Sequence, residues 1–332
     1  MGCHRICVIH LNQIGDLVFS LPLLKALRDH YPNAAIHSVA RPYLHGLLED
    51  SPLVDRIVTR RDTLPARASL LWTLRRQHYD LLISLPRSEE ALILAGLSGA
   101  RIKAGFAHRP WDAVLDVKEV IHGHNSWFNN ARILARLGIP VVQDNYVGLL
   151  QVDGLPDVKG LPWRYAVISP GASRRRLAKA WDEEKFARVI AQLSMEFGLS
   201  CVLVGGNDTA ECTGTIVAHV ERLLSGGVLQ VRDLAGKISL RELAAVLKKA
   251  KLFVGIDSGV MHMASALDIP TVGIFGPTDP FYVAPQNARS MVVRKDMACS
   301  PCYLRGECEH RRCLQELGAD AVVEACRRVM GA

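Results

Sequence analysis

Nowhere in these 332 residues does an apolar run approach the ~18 residues of a membrane-spanning helix, so integral membrane classes are set aside. No Gly-x-Gly-x-x-Gly follows the first strand-like segment, which argues against a plain NAD-dependent Rossmann enzyme. No Gly-Lys-Ser/Thr marks a P-loop. There is no aromatic-studded basic strand or known nucleic-acid motif, so nucleic acid is not an expected partner. The nine cysteines are an odd number: Cys3, Cys7, Cys201, Cys212 and Cys326 are scattered in apolar surroundings, and four cluster near the end. That is not a secreted disulfide framework. Met1-Gly2-Cys3-His4-Arg5 leads straight into a strand-like stretch rather than a signal peptide. Residue 6 is Ile where a myristoylation motif has Ser or Thr. The expected location is the cytoplasm.

What is present is ordinary in bulk and specific in pattern. A hydrophobic content of 49% and a charged content of 22% describe a globular protein, and the length suggests two domains. The formal net charge is +7. Residues 56–109 carry ten Lys or Arg against four Asp or Glu. Such a basic face would attract phosphorylated lipid, an anionic membrane surface or nucleic acid. A solvated helical face accounts for it equally well.

Strand-like and helix-like segments alternate along the whole chain, which implies parallel, doubly wound sheets. Residues 5–11 read as a buried strand, and residues 17–30 carry helical spacing. Asp16 lies at their junction, where Asp is also a favoured N-cap. Further strands are expected at 35–40, 55–58, 80–85 and 103–106, with helical stretches at 41–48, 64–79, 89–97 and 125–137. Residues 154–164 hold Gly154, Pro156, Gly160 and Pro162 and read as a linker between a domain at 1–153 and a second at 165–318. A final helix at 319–330 is expected to cross back to the first domain.

The second half opens with a strand at 165–169. A loop of small and basic residues follows, Pro170-Gly171-Ala172-Ser173-Arg174-Arg175-Arg176-Leu177-Ala178-Lys179-Ala180-Trp181. Small residues let backbone N–H groups approach an anion and the cations neutralise it, so this is a candidate phosphate grip. Asp182 caps the next helix. The strand at 200–204 ends in Gly205-Gly206. Residues 251–280 then read as strand, polar loop, short helix, strand and polar loop. The loops are Asp257-Ser258-Gly259 and Gly276-Pro277-Thr278, at the carboxyl ends of their strands, where open α/β sheets bind ligands. The free N–H groups of the helix after Gly259 suit an anion at the same place.

Asp257-Ser258-Gly259 with His262, followed by Phe275-Gly276-Pro277-Thr278, resembles the signature of glycosyltransferase family 9, the lipopolysaccharide heptosyltransferases. Stretches around Asp16 and Lys179 match in order and distance, so the resemblance spans nearly the whole chain. It implies a GT-B fold of two Rossmann-like domains with a cleft between them, acceptor on the first and nucleotide sugar on the second. It implies Asp16 as general base and Lys179, two places before Trp181, on the donor diphosphate. Ser173, Arg174, Gly205, Asp257, Ser258, Gly259 and His262 become donor-site candidates. Arg87, His108, Arg109 and His124 become acceptor-side candidates, with His122 on the same loops.

The implied reaction is inverting and metal-independent. A heptose passes from an ADP-sugar to a lipid-linked or phosphorylated core oligosaccharide, with no cofactor for catalysis and with peripheral contact on the cytoplasmic face of the inner membrane. A sugar-nucleotide epimerase or hydrolase of the same fold, or a non-catalytic nucleotide-sugar binder, is the alternative. Cys299, Cys302, Cys308 and Cys313 have the spacing C-x2-C-x5-C-x4-C, which suits a structural zinc. An iron–sulfur cluster, a disulfide, or reduced, packed thiols are the other readings.

Overall fold

Short β-branched and leucine-rich runs, each ending in a polar loop, form two separate parallel sheets. The computed structural model describes residues 2–108, 110–124, 126–151, 154–171, 178–224, 231–303, 308 and 310–331. It divides into two units, Met1–Asp153 and Gly154–Ala332.

Unit 1 contains strands β1 (Arg5–Ile9), β2 (Ala35–Ala40), β3 (Arg56–Thr59), β4 (Leu81–Ser84), β5 (Ile102–Phe106) and β6 (Val117–Glu119). Their order in the sheet is β3-β2-β1-β4-β5-β6. Helices α1 (Ile14–His30), α2 (Leu64–Gln77), α3 (Glu89–Leu97) and α4 (Trp127–Arg136) connect and flank them. One sheet face presents Cys7, Ile9, Val39, Val58 and Leu82, which Leu70 and Leu74 of α2 and Leu94 and Ala95 of α3 cover. Both faces of a parallel sheet are buried, so its strands are apolar on both sides, as in the fully buried run Ile6–Ile9. The helical stretch expected at 41–48 is a 3-10 helix over Pro42–Leu47. Strand β6 was not expected: three residues, Val-Lys-Glu, carry too short a pattern to read.

Unit 2 contains β7 (Tyr165–Ser169), β8 (Ser200–Leu203), β9 (Val231–Asp233), β10 (Leu252–Ile256), β11 (Thr271–Phe275) and β12 (Ser290–Arg294), ordered β12-β11-β10-β7-β8-β9. Its helices are α5 (Glu183–Phe197), α6 (Ala210–Leu223), α7 (Leu240–Lys249), α8 (Gly259–Ala266), α9 (Pro280–Val283), α10 (Arg312–Gln315) and α11 (Ala319–Met330). Helix α5 starts where expected, with the Asp182 carboxylate accepting from the Lys185 N–H at 3.2 Å. Ser239 and Glu242 form a capping box on α7. Edge strand β12 also escaped the sequence reading, being half-exposed and flanked by no clear turn signal.

The last helix, expected to cross back to the first domain, carries an apolar face. Val322, Val323, Cys326 and Val329 of α11 join the core of unit 2 with Phe186, Ile190, Val272 and Ile274. Among the described residues no helix is long and apolar enough to cross a membrane.

Candidate active site

In each unit the candidate residues gather at the carboxyl ends of the strands. This follows from topology, because every strand of a parallel sheet delivers its following loop to the same edge.

In unit 2 the centre is the end of β10. Asp257 follows β10 directly, and its N–H donates to the Ile274 carbonyl of β11 at 3.1 Å. Lys179 is only 8% exposed and Asp257 only 7%. The Lys179 Nζ donates to the Asp257 Oδ2 and lies 3.4 Å from the Asp257 carbonyl oxygen. Burial pushes the Asp257 carboxyl up, but the Lys179 ammonium, then His262, outweighs it and holds the group below the usual carboxylate range. The Thr278 hydroxyl, just after β11, is buried and has no hydrogen-bond partner among the described residues. His262, on the first turn of α8, has its Nε2 3.9 Å from Asp257 Oδ1. Burial drives the imidazole down to about 4, with Asp257 opposing, so the ring is neutral near pH 7.

Ser258 is the N-cap of α8, yet its side chain caps nothing. Its Oγ is buried and has no hydrogen-bond partner among the described residues. A buried hydroxyl without a partner costs roughly 1–3 kcal/mol unless something supplies one. The site therefore offers a helix N-terminus, a hydroxyl awaiting a partner and a lysine held by a carboxylate. That is an arrangement for an anion bearing several oxygens.

Neighbouring loops are drawn in tightly. A Cβ on Gly205, after β8, would stand 2.1 Å from the Thr209 hydroxyl, and one on Gly171, after β7, 2.0 Å from the Thr209 methyl. Gly205 thus serves the close packing of two loops around Thr209. Trp181 explains why Lys179 sits where it does. Its indole is 2% exposed, stacks edge-on against Phe186 at 4.8 Å and donates to the Leu317 carbonyl at 3.1 Å. Lys185 Nζ donates to the Leu317 carbonyl as well, at 3.1 Å. The sequence marked Trp181 only as a spacing landmark. Its anchoring role depends on a carbonyl 136 residues away.

In unit 1, Asp16 stands in the first turn of α1 and is half-buried. It is not the N-cap, which is Gln13, so the capping alternative for Asp16 falls away. Tyr43 lies close by. Burial raises its phenol, Arg41 lowers it, and the Asp16 carboxylate raises it further. The Tyr43 hydroxyl donates to the Asn12 carbonyl, and Arg41 Nε donates to Asn12 Oδ1 at 3.2 Å, which ties down the loop before Asp16. Tyr43 went unnoticed in the sequence because it comes from a different βα connection. Arg87, His108 and His124 follow β4, β5 and β6 at the same edge as Asp16. Arg87 and His108 are exposed, and the His124 carbonyl accepts from Asn129 Nδ2 at 2.8 Å. Ser173, Arg174 and Arg109 lie outside the described residues.

The sequence profile described as glycosyltransferase family 9 (heptosyltransferase) matches residues 67–311. The chain belongs to glycosyltransferase family 9. A lipooligosaccharide heptosyltransferase 2 of Campylobacter jejuni is 31% identical over 97% of this chain and 98% of its own length. Lipopolysaccharide heptosyltransferase 3 of Escherichia coli is 29% identical over 82% of this chain and 83% of its own. Among solved structures, E. coli heptosyltransferase WaaC with ADP superposes with a TM-score of 0.77 at 22% identity, covering 98% of this chain and 99% of that one. The fold of this glycosyltransferase is therefore GT-B, and the protein is an enzyme of that class.

The four clustered cysteines of this family 9 chain are free. Burial raises the Cys313 thiol, and Cys302, Cys308 and Cys299 raise it further, so the four are near one another. Among the described residues, however, no three His, Cys, Asp or Glu side chains are placed to hold a metal. What the segment does show is backbone docking: the Cys302 and Tyr303 N–H groups donate to the Pro277 carbonyl at 3.1 and 2.8 Å. Ser300 Oγ donates to the Gly276 carbonyl at 2.6 Å. It supports the loop that carries Thr278.

Proposed function

We propose that this enzyme transfers a heptose, or a closely related sugar, from an ADP-sugar to a lipopolysaccharide inner-core or similar glycan, with inversion and without a divalent cation. The observation that carries the donor half is the buried Lys179–Asp257 pair beside the unsatisfied Ser258 hydroxyl at the start of α8. Lys179 and the N–H groups of α8 would meet the diphosphate and stabilise its charge as it leaves, the role a metal plays in other transferases. Asp257 would orient Lys179 rather than touch the phosphates, since two anions at one site repel. Neutral His262 would donate or accept a hydrogen bond at the donor sugar without adding charge. Asp16 would take the proton of the attacking acceptor hydroxyl, and that oxygen, bonding to the anomeric carbon on the face opposite the departing diphosphate, would invert it.

The relatives named for lipopolysaccharide and lipooligosaccharide heptose transfer, and the solved relative holding ADP, support the choice of ADP-heptose and a core acceptor. The test is ADP release from ADP-L-glycero-D-manno-heptose, with and without purified core acceptor, run beside UDP- and GDP-sugars and with chelator present. Acceptor-dependent release from the ADP-sugar alone is expected, and chelator should leave it unchanged. Equal release without acceptor would turn the reading to a hydrolase or epimerase.

A further inference from the structure

Helix α2 buries Leu70 and Leu74 against the sheet of unit 1. At 100° per residue the direction opposite that stripe falls on Trp72, with Arg75 and Arg76 to either side. Trp72 is 60% exposed and Leu64, at the start of the helix, 78%. Helix α3 packs beside α2 on the same sheet face. It carries two more exposed apolar residues one turn apart, Ile93 at 38% and Leu97 at 51%.

Charge on this surface is one-sided. Helix α2 has no acidic residue. The nearest carboxylates are engaged: Asp62 pairs with Arg41, and Glu90 pairs with Arg60 at 2.9 Å and Arg67 at 3.3 Å. Glu89 is the exposed exception. Arg75 and Arg76 have no carboxylate partner among the described residues, and the Arg76 guanidinium lies over the Trp72 ring at 4.4 Å.

Exposed large side chains scattered singly need no explanation, but apolar residues on adjacent helices, interleaved with arginines free of carboxylates, do. A solvated face would carry acids among its bases and would not place an indole at its crest. Tryptophan partitions to the headgroup level of a bilayer, and each basic residue near an anionic surface adds roughly 1 kcal/mol of attraction.

We propose that the α2–α3 face of unit 1 docks on an anionic phospholipid surface, with Leu64, Trp72, Ile93 and Leu97 entering the headgroup region and Arg75 and Arg76 meeting lipid phosphates. This rests on the lipopolysaccharide acceptor proposed above, and it gives the enzyme a means of staying where such an acceptor resides.

The test is flotation of the full chain with phosphatidylcholine vesicles, and with vesicles of about one-third phosphatidylglycerol. Neither donor nor acceptor is present. Wild type should float with the anionic vesicles and be released by salt. Leu64→Ser with Trp72→Ser, and separately Arg75→Gln with Arg76→Gln, should each lower binding about tenfold or more. Both pairs should keep the wild-type Tm and wild-type turnover on a short, water-soluble acceptor. Equal flotation on both vesicle types, or flotation indifferent to the substitutions, would overturn the proposal. So would a concentration-dependent dimer in sedimentation that the Leu64/Trp72 pair abolishes, which would assign the face to a second copy. A protein that floats as expected but transfers no sugar would sink the transferase reading and leave the surface intact.

Discussion

Each unit holds a deeply buried histidine near its functional edge, and the two keep different company. His10, at the end of β1, is 1% exposed, and His262, on α8, is 3% exposed. Burial drives both imidazoles down to about 4. In unit 1, His10 uses both ring nitrogens internally, with Ser38 Oγ at 3.0 Å and Ser20 Oγ at 2.9 Å. It joins β1, β2 and α1 and has nothing left to offer a ligand. In unit 2, His262 shares its surroundings with an ammonium, a carboxylate and a hydroxyl that caps nothing. Depth and a displaced pKa alone therefore do not mark a site. What marks the site in unit 2 is the buried Ser258 hydroxyl, which the described residues leave without a hydrogen-bond partner.

The sharpest test sets the half-buried Asp16 against the buried His10. Asp16→Ala should lower turnover ~100- to 10,000-fold while leaving ADP affinity in calorimetry near wild type. His10→Gln should lower stability and leave turnover per folded molecule within a few-fold. If the two substitutions exchange these phenotypes, the chemistry of unit 1 lies in the strand and not at the helix start.

In unit 2, Lys179→Ala leaves Asp257 buried without its counter-charge. Denaturant unfolding should show a loss of about 3–5 kcal/mol, together with weakened ADP binding. Pairing Lys179→Met with Asp257→Leu should return most of the stability and none of the ADP affinity. Restored binding in that double variant would remove the lysine from the donor site.

Acid should strike both histidines alike. The unfolded imidazoles titrate near 6.5 and the folded ones near 4, so the unfolded chain takes up protons first as pH falls. Stability is thus full above the unfolded value and declines below it, by about 1–2 kcal/mol per histidine between pH 7 and pH 5. Denaturant melts at the two pH values should show this loss, and His10→Gln should remove about half of it. Asp257 and Glu119, both held low in the folded state, stay ionised through this window and contribute little to the slope.

The smallest effect separates two N-cap serines. The Ser239 hydroxyl accepts from the Glu242 N–H at 3.3 Å, whereas Ser258 caps nothing. Ser239→Ala should cost ~1 kcal/mol of stability with no effect on ADP. Ser258→Ala should cost less than half of that and weaken ADP binding a few-fold. Equal stability losses would make Ser258 an ordinary cap.

Local pattern made much of this legible in advance. The run 165–169 matches β7 residue for residue, and the two strands expected within 251–280 are β10 and β11, because each is a short, fully buried strand bounded by turn residues. Edge strands β6 and β12 escaped because half-exposed, brief segments carry no such contrast. In the site, Lys179, Asp257, Ser258 and His262 were readable as a group, and the structure brings Lys179 onto Asp257. The proximity of Tyr43 to Asp16 and the anchoring of Trp181 were not readable. Both depend on residues that only the three-dimensional packing makes neighbours.

The hydrogen bonds from Trp181 and Lys185 to the Leu317 carbonyl, and the seating of α11 in the core of unit 2, impose an order of events during synthesis. The Lys179 segment leaves the ribosome more than a hundred residues before the carbonyl that fixes it. At roughly 5–20 residues per second, that segment waits several seconds without its final support. Nucleotide-binding competence should therefore emerge late on the nascent chain, only once α11 has cleared the exit tunnel and docked.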